Sequence, residues 1–447
     1  MATSERASPF FRLIIQHNRS AFLSLTSEKQ SAYLSHYEKF EPPFEIPDSW
    51  EWVRLGEIST YGDCPNVAFS AIGDDEWVLE LEDIEKDSAK LIQILTKKDR
   101  DIKGVRHKFN KGDVLYSKLR TYLNKVLVAP NNGYCSTEII PFNTFCNIST
   151  NYLAHVLRSV YFLNYTQSCG YGVKMPRLST NDACKGMIPL PPVEEQYRIV
   201  VTIETLFSIL DIIEEKTAYL FYNIKILKSK ILELAMQGKL VSQNSSHEPA
   251  AEMLKRINPN AKIITDNPHY PKLPDNWVLT DIQSVSNYGK CYSIDVDDIN
   301  GNDWILELED IEKDTGIILW KKRKGDREVN GVRHIFKSGD ILYSKLRTYL
   351  NKVLIAPNSG YCSTEIIPIK CHDSVTSQYL CAWLRSPYFL AYTQSCGYGV
   401  KMPRLNTADA RNGIVPLPPL NEQRRIMEQI NSIFKALDSI SNSVKFP

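Results

Sequence analysis

No run of 18 apolar residues occurs anywhere in the 447 residues, and Glu5, Arg6, Arg12 and Arg19 interrupt the apolar positions of the first 25. Neither a membrane-spanning helix nor a signal-peptide core is expected, and the chain reads as cytosolic, that is, cytoplasmic. An excess of either charge is also missing, since 53 Lys and Arg face 52 Asp and Glu for a net charge of +1. A cationic field over the whole chain is therefore excluded, and any nucleic-acid footprint must be local. The ten cysteines form no CxxC pair, and no histidine pair stands at zinc-ligand spacing. Reduced, mostly buried thiols are expected, with no disulfide framework and no metal. At 43% hydrophobic and 23% charged, the composition excludes wholesale disorder and fibrous repeats.

What is present is a long internal repeat. The length alone predicts two to four domains, and the sequence matches itself at an offset of 227, carrying Trp50 to Trp277, WVLELEDIEKD (77–87) to WILELEDIEKD (304–314) and Ile199 to Ile426. About 153 residues are duplicated without insertion or deletion, and 32 of the 38 positions from Gly104 to Pro141 are identical to Gly331 to Pro368. Residues 88–103 and 142–150 have drifted from their partners.

Each copy reads as an α+β globule. KGDVLYSKLR (111–120) pairs a Lys-Gly-Asp turn with a short β-rich run, and GYCSTEIIPF (133–142) reads as a strand after a glycine turn. YLAHVLRSVYFLNYTQ (152–167) carries helical spacing up to Gly170. The exits IPLPPVEEQ (188–196) and VPLPPLNEQ (415–423) bar helix with proline and then open one.

After the first exit comes a heptad seam of Ile199, Ile203, Leu206, Leu210, Ile213, Thr217, Leu220, Ile224, Leu227, Ile231 and Leu234. A helix from Val193 to Gln237, about 65 Å long, is expected to end at Gly238. The second copy restarts the phase with Ile426, Ile430, Ile433, Leu437 and Ile440. Two such helices placed antiparallel would form a coiled coil and hold the globules apart. The alternative is that each seam packs only on its own globule.

The order of a tryptophan phrase, a globule, PLPPxxEQ and a long helix, given twice, resembles the specificity subunit of type I restriction-modification systems. IPDSWEWVRLGEI (46–58) with IPLPPVEEQYRIV (188–200), and LPDNW (273–277) with VPLPPLNEQ, carry the resemblance. It implies two target recognition domains that read double-stranded DNA, separated by long helices forming an antiparallel coiled coil. It also implies two adenine methyltransferase subunits and restriction nuclease/translocase subunits as partners. The expected division is an N-terminal helical segment at 1–40, recognition domain 1 at 41–192, a central helix and linker at 193–265, recognition domain 2 at 266–419 and a C-terminal helix at 420–447. No cofactor is expected in this chain, while the partner subunits would use S-adenosylmethionine, ATP and Mg.

Charge supports a local DNA footprint. Residues 97–125 hold ten Lys or Arg against three Asp, and 321–352 hold ten against three acids, whereas 76–87 hold six acids and one Lys. A basic face on a neutral chain is what phosphate binding needs, although charge runs are commonly just solvated. Read as a strand, SKLRTYLNK (117–125 and 344–352) puts Lys118, Arg120 and Tyr122 on one face. Arg120 and Arg347 could then read guanine, with Lys118 and Lys125, or Lys345 and Lys352, on phosphates beside Tyr122 and Tyr349. The bland alternative has Tyr122 capping the core and Lys125 solvated. The second candidate is SCGYGVKMPRL (168–178 and 395–405), which resembles the family's recognition loops. It offers Gly170, Tyr171, Gly172, Lys174 and Arg177, and in the second copy Gly397, Tyr398, Gly399, Lys401 and Arg404. Here the alternative is that the glycines merely cap the preceding helix.

Catalysis within the chain is not expected. Cys135 and His107, with Cys362 and His334, form a conceivable pair in each globule, but nothing orders base to nucleophile, and a core thiol with a surface histidine is the better reading. EPPF (41–44) reads as a linker, GYG lacks the third glycine of a dinucleotide fingerprint, and no Walker loop, HExxH or paired-carboxylate motif occurs. The reading is a DNA-sequence reader of a bipartite target close to an inverted repeat, directing adenine methylation or cleavage by its partners. Its rivals are a scaffold that binds protein through the duplicated globules, an enzyme using the Cys/His pairs, and the specificity part of a type IIB system.

Overall fold

A computed structural model describes residues 41–447 apart from 171, 173–174, 245, 266–271, 397–402 and 445–447. The helical segment expected at 1–40 lies outside the described residues. The chain divides into two compact units, Met1–Ile212 and Ile213–Pro447.

In the first unit, β1 (Glu51–Arg54) leads into the short helix α1 (Leu55–Ile58), followed by β2 (Asn66–Ala68), β3 (Val78–Leu79), β4 (Val105–Phe109) and β5 (Val114–Ser117). Then come β6 (Val126–Val128), β7 (Gly133–Ser136), β8 (Ile139–Phe142), α2 (Thr150–Arg158), α3 (Val160–Cys169), α4 (Thr180–Lys185) and β9 (Met187–Leu190). Three sheets result, in the orders β2-β4-β7-β3, β6-β5-β8 and β1-β9, antiparallel except for the β3–β7 pair. The Lys-Gly-Asp turn stands where expected: Gly112 has φ +91, and the Asn110 amide donates to Asp113 Oδ2 at 2.7 Å.

Two sequence expectations change. GYCSTEIIPF is not one strand, because Thr137 and Glu138 carry the chain out of the four-stranded sheet and into the three-stranded one. Residues 152–167 are not one helix either. Ser159 ends α2 by donating its amide to the Val156 carbonyl and starts α3 by accepting the Phe162 amide on Oγ. A residue that caps both neighbours leaves its own backbone extended, so the helical spacing continues across a break.

The first unit has two cores. Val53, Leu55, Tyr116, Ile140, Phe142, Leu153 and Phe162 fill one, and Trp77, Leu79, Phe109, Leu115, Cys135 and Ile139 fill the other. Trp77 meets Phe109 edge-on at 5.2 Å, as favoured by the ring quadrupoles.

The second unit repeats this plan at the same offset. Its strands are β10 (Val278–Asp281), β11 (Ser293–Asp295), β12 (Ile305–Leu306), β13 (Val332–Phe336), β14 (Ile341–Ser344), β15 (Val353–Ile355), β16 (Gly360–Ser363), β17 (Ile366–Ile369) and β18 (Ile414–Leu417). They form sheets β11-β13-β16-β12, β15-β14-β17 and β10-β18, and Trp304 meets Phe336 at the same 5.2 Å.

The helix after the first exit, α5 (Val193–Met236), runs 44 residues, about 66 Å at the α-helical rise. Before the second unit's globule lies α6 (Ala250–Ile257), and after it α11 (Leu420–Ser443), with α7 (Ile282–Val285), α8 (Ser377–Leu384), α9 (Pro387–Cys396) and α10 (Thr407–Asn412) between. The PLPPxxEQ phrase has a specific task. Gln196 is fully buried, donating to the Pro191 carbonyl at 2.9 Å and accepting the Ser149 amide at 2.9 Å. Gln423 does the same with Pro418 at 3.0 Å and Thr376 at 2.9 Å. One side chain thus satisfies the carbonyl released by the prolines and an amide at the start of α2 or α8.

Helix pairing occurs within the second unit and is antiparallel. Lys228 of α5 reaches Asp438 of α11 at 2.5 Å and stands 5.1 Å above the Phe434 ring. Further along, Arg425 donates to the Ser242 carbonyl at 3.0 Å. Leu232, Ala235 and Met236 share a core with Ile426 and Ile430, and Ile199 and Val200 pack on the first unit's own core. Five seam assignments are corrected. Leu206, Leu210 and Ile213 are 55%, 52% and 39% exposed among the described residues; heptad spacing states what a helix can bury, not which element stands ready to cover it. Leu227 is exposed because the buried face advances by one residue after Ile224, through Lys228, Leu232 and Ala235, the drift of a 3.6-residue helix against a 3.5-residue seam. Ile440 is also exposed.

Replacing Gln196 or Gln423 with Leu strands a buried amide and a buried carbonyl, at about 1–3 kcal/mol for each group. Urea unfolding should register a loss of at least that size for each variant.

Candidate nucleic-acid interface

The run 117–125 does not continue as a strand. After β5 ends at Ser117, Arg120 adopts a left-handed backbone (φ 50, ψ 58), Thr121–Leu123 forms a single 3-10 turn, and Asn124 is left-handed again (φ 53, ψ 40). Arg347 and Asn351 repeat this with φ 51 and 48. Non-glycine residues enter this region only when surroundings compel them, and such backbones cluster at functional sites. The compulsion is visible: Asn124 Nδ2 donates to the Arg158 carbonyl at 3.1 Å, Ser117 Oγ to the Leu119 carbonyl at 2.8 Å, and Asp87 N to the Leu123 carbonyl at 3.0 Å. The expected sharing of one strand face by Lys118, Arg120 and Tyr122 is therefore corrected, since a left-handed residue between them breaks the two-residue alternation. Tyr122 and Tyr349 are each 45% exposed rather than capping the core.

The two candidate segments are one site. Arg120 N donates to the Pro176 carbonyl at 2.7 Å, Leu178 N to the Lys118 carbonyl at 2.9 Å, and Leu119 bridges Arg177. In the second unit Arg347 N meets Pro403 at 2.8 Å, Leu405 N meets Lys345 at 2.9 Å, and Leu346 bridges Arg404. The basic turn and the loop at the end of α3 or α9 are thus held edge to edge. Gly170 has ordinary φ −66 at the helix end, whereas Gly172 has φ +99, a conformation that calls for glycine. Tyr171, Lys174, Gly397, Tyr398, Gly399 and Lys401 lie outside the described residues.

Sequence reasoning missed Glu138 and Glu365. Arg177 grips Glu138 with two bonds, Nε to Oε2 at 3.1 Å and Nη2 to Oε1 at 2.9 Å, while Arg404 Nη2 meets Glu365 Oε1 at 2.8 Å. The signal was available as an acid repeated in both copies of the Ser-Thr-Glu run.

Lys125 and Lys352 are corrected. Each ammonium donates to a backbone carbonyl, that of Leu81 or Leu308, at 2.7 Å, and burial pulls its pKa below the usual lysine value. They brace the acidic segment and do not face outward as free cations. The basic run is likewise thinner than its letters. Arg100 pairs with buried Asp83 and Arg327 with Asp310, Arg106 meets Glu80 at 3.0 Å, Arg333 meets Glu307 at 3.1 Å, and Lys97 and Lys98 meet Asp74 and Asp75. Much of the basic run thus neutralises acids of its own globule. Lys108, Lys111, Lys118 and Arg120, with Lys337, Lys345 and Arg347, make no ion pair among the described residues.

The Cys/His pairs do meet, as direct cross-strand partners on β4–β7 and β13–β16. His107 Nδ1 bonds the Ile139 carbonyl at 3.0 Å, and the Cys135 thiol donates weakly to the same oxygen at 3.6 Å. Burial pushes both thiols, Cys135 and Cys362, well above the usual cysteine range and lowers the His107 pKa. A thiol kept protonated is a poor nucleophile. In the folded protein, Cys135 and Cys362 should react with an aromatic disulfide reagent roughly two orders of magnitude more slowly than in denaturant, as followed by mass spectrometry of the labelled peptides.

A sequence model described as the type I restriction modification DNA specificity domain matches residues 47–221 and again 274–445. The specificity subunit of the Escherichia coli type I restriction enzyme EcoDI is 28% identical over 257 residues, and the matched region spans 54% of this chain and 54% of that protein, about half the length of each. The EcoAI specificity subunit, also from Escherichia coli, is 24% identical over 93% of this chain and 83% of its own length. Among solved structures, the HsdS subunit from Thermoanaerobacter tengcongensis has a similar fold, with a TM-score of 0.56 at 20% identity over 90% of this chain and 93% of that one. A chain from a structure titled for complex assembly and conformational transition of the type I R-M system gives 0.60 at 20% identity, over 90% and 94%. With the family's domain matched across both repeats, the chain belongs to the type I restriction-modification specificity subunits.

Proposed function

We propose that each globule reads one half of a bipartite DNA target through the joined turn and loop, residues 118–124 with 168–178 and residues 345–351 with 395–405. The observation that carries this reading is the pairing itself, since two basic segments far apart in sequence are bonded edge to edge, in duplicate, around a left-handed arginine. Lys118 and Lys345 would hold phosphates, and Arg120 and Arg347 would meet base edges in the major groove. Because the two copies repeat the same bonds at the same offset, the half-sites would be nearly alike and arranged close to an inverted repeat. The drifted segments 88–103 and 142–150 would supply whatever asymmetry remains.

The chain itself would be non-catalytic and cytoplasmic. Two adenine methyltransferase subunits would flip the target adenine out of the stack and modify it with S-adenosylmethionine, and restriction subunits would supply ATP- and Mg-dependent translocation and cleavage. This chain would decide which adenine is reached.

Long-read mapping of adenine methylation, with the gene present and deleted, should show loss of one bipartite motif, and persistence of every motif would sink the reading. Binding to that motif should fall roughly 10³-fold between 50 and 200 mM salt. Lys118→Ala should reduce the slope of log affinity against log salt by about one, whereas Lys125→Ala should leave the slope unchanged and lower the thermal midpoint instead. A chain that binds protein but no duplex would favour the scaffold.

A further inference from the structure

We infer that the hairpin tip at Asp314, with its repeat at Asp87 to Lys90, is a positioning latch that holds each DNA-reading turn on helix α5 and so restricts the spacer between half-sites. This rests on the DNA-reading proposal above.

A small hairpin precedes the four-stranded sheet's second pass in each unit, closed by the Ile84–Leu91 bridge in the first and the Ile311–Ile318 bridge in the second. At the second tip Asp314, left-handed at φ 64, bonds three elements at once. Its amide donates to the Leu350 carbonyl of the reading turn at 2.9 Å, its carbonyl accepts Arg385 Nη2, just past α8, at 2.7 Å, and its Oδ2 meets Lys225 of α5 at 2.7 Å. A path of two bonds therefore runs from the turn that carries Arg347 to the long helix. Packing secures the tip on one side. Gly316 lies so close to β15 that an added Cβ would collide with the Val353 carbonyl. Toward the helices, by contrast, a cavity of about 250 Å³ is lined by Thr315, Gly316, Leu232 of α5 and Phe434 of α11. Protein side chains leave that space open, so the bond from the tip to α5 among the described residues is the ion pair.

The first unit reaches α5 by a different pair. Asp87 repeats the two backbone bonds, its amide donating to the Leu123 carbonyl at 3.0 Å and its carbonyl accepting Arg158 Nη2 at 2.7 Å. The bridge itself runs from Lys90 to Asp211 at 3.2 Å. Here the lysine stands on the hairpin, whereas in the second unit it stands on the helix, and the position matching Lys90 is Ile317. A bridge kept with its charges exchanged and its position shifted was not simply copied in the duplication. The plain alternative is two surface ion pairs without consequence. Their side chains are 67% and 63% exposed in the first unit and 68% and 35% in the second, and such pairs add little to stability. Positioning makes a smaller demand. One base pair of spacer moves a half-site by about 3.4 Å and turns it by about 35°, and a turn held less firmly on its stretch of α5 meets its half-site over a wider range of spacings.

The test uses the full-length chain assembled with its methyltransferase subunits and a library of duplexes whose wild-type half-sites are separated by spacers of different lengths, with methylated survivors sequenced. Asparagine tolerates a left-handed backbone, so Asp314→Asn removes the charge without rebuilding the tip. It should raise methylation on spacers one base pair longer or shorter by about threefold relative to the preferred spacer, with the bases selected inside each half-site unchanged. Lys90→Asp should widen the profile in the same way, and adding Asp211→Lys to it, which exchanges the charges, should restore the narrow profile. Lys230→Ala breaks an ion pair internal to α5 and should leave spacing as in the wild type. The inference is overturned if Asp314→Asn and Lys90→Asp keep the wild-type spacer profile, if the charge exchange fails to restore it, if Lys230→Ala widens it equally, or if the variants move only the melting midpoint or the bases selected. Should the wild-type assembly select no bipartite duplex at all, the DNA-reading proposal falls along with it, an outcome distinct from narrow wild-type spacing that the variants leave unchanged.

Discussion

Two backbone hydrogen bonds, from Arg120 to Pro176 and from Leu178 to Lys118, hold together everything that makes this face usable. Without them the turn after β5 and the loop after α3 are separate surface excursions with basic residues. With them, a left-handed arginine, an exposed tyrosine and an arginine–glutamate pair are fixed against one another on a backbone that side-chain entropy cannot loosen. The recurrence of both bonds at residues 347, 403, 405 and 345 means that the arrangement does not depend on the positions where the copies have diverged.

Much of the architecture was legible in the sequence because it depends on features that leave periodic or punctuating marks. The duplication, the proline exits, the Lys-Gly-Asp turn and the long helix could all be read from residue order, and the pairing of α5 with α11 followed from two seams in matching phase. Covering is a different matter. Leu206, Leu210 and Leu227 satisfy a heptad and yet are exposed, because spacing describes one helix while burial is a relation between two elements. Ser159 shows the same limit at shorter range: helical spacing runs through it, but its hydroxyl closes the first helix by donating to the Val156 carbonyl and opens the second by accepting the Phe162 amide.

The site was legible as two fragments and not as one. A strand reading of 117–125 was reasonable from its β-rich residues, but the left-handed backbone at Arg120 and Asn124 is enforced by distant partners, among them the carbonyl of Arg158, and no local pattern announces it. Net charge misled in a related way. Ten basic residues in a short run look like one surface, although Arg100, Arg106 and Lys125 turn inward to the acids and carbonyls of the preceding segment. The acidic and basic stretches seen in the sequence are therefore largely each other's counterions, and the outward-facing cations are the few left over.

If Arg120 and Arg347 meet base edges as proposed, their left-handed backbone limits how the protein can change the sequence it reads. Only residues that tolerate that backbone, chiefly glycine, asparagine, aspartate and histidine beside the arginine already there, can be exchanged without rebuilding the turn, while valine, isoleucine and threonine are barred by their branched Cβ. Mutational drift at this spot is confined to a short alphabet. On that proposal, wider change would fall to neighbours whose main chain carries no such restriction, and a single torsion angle would set part of the repertoire open to one lineage.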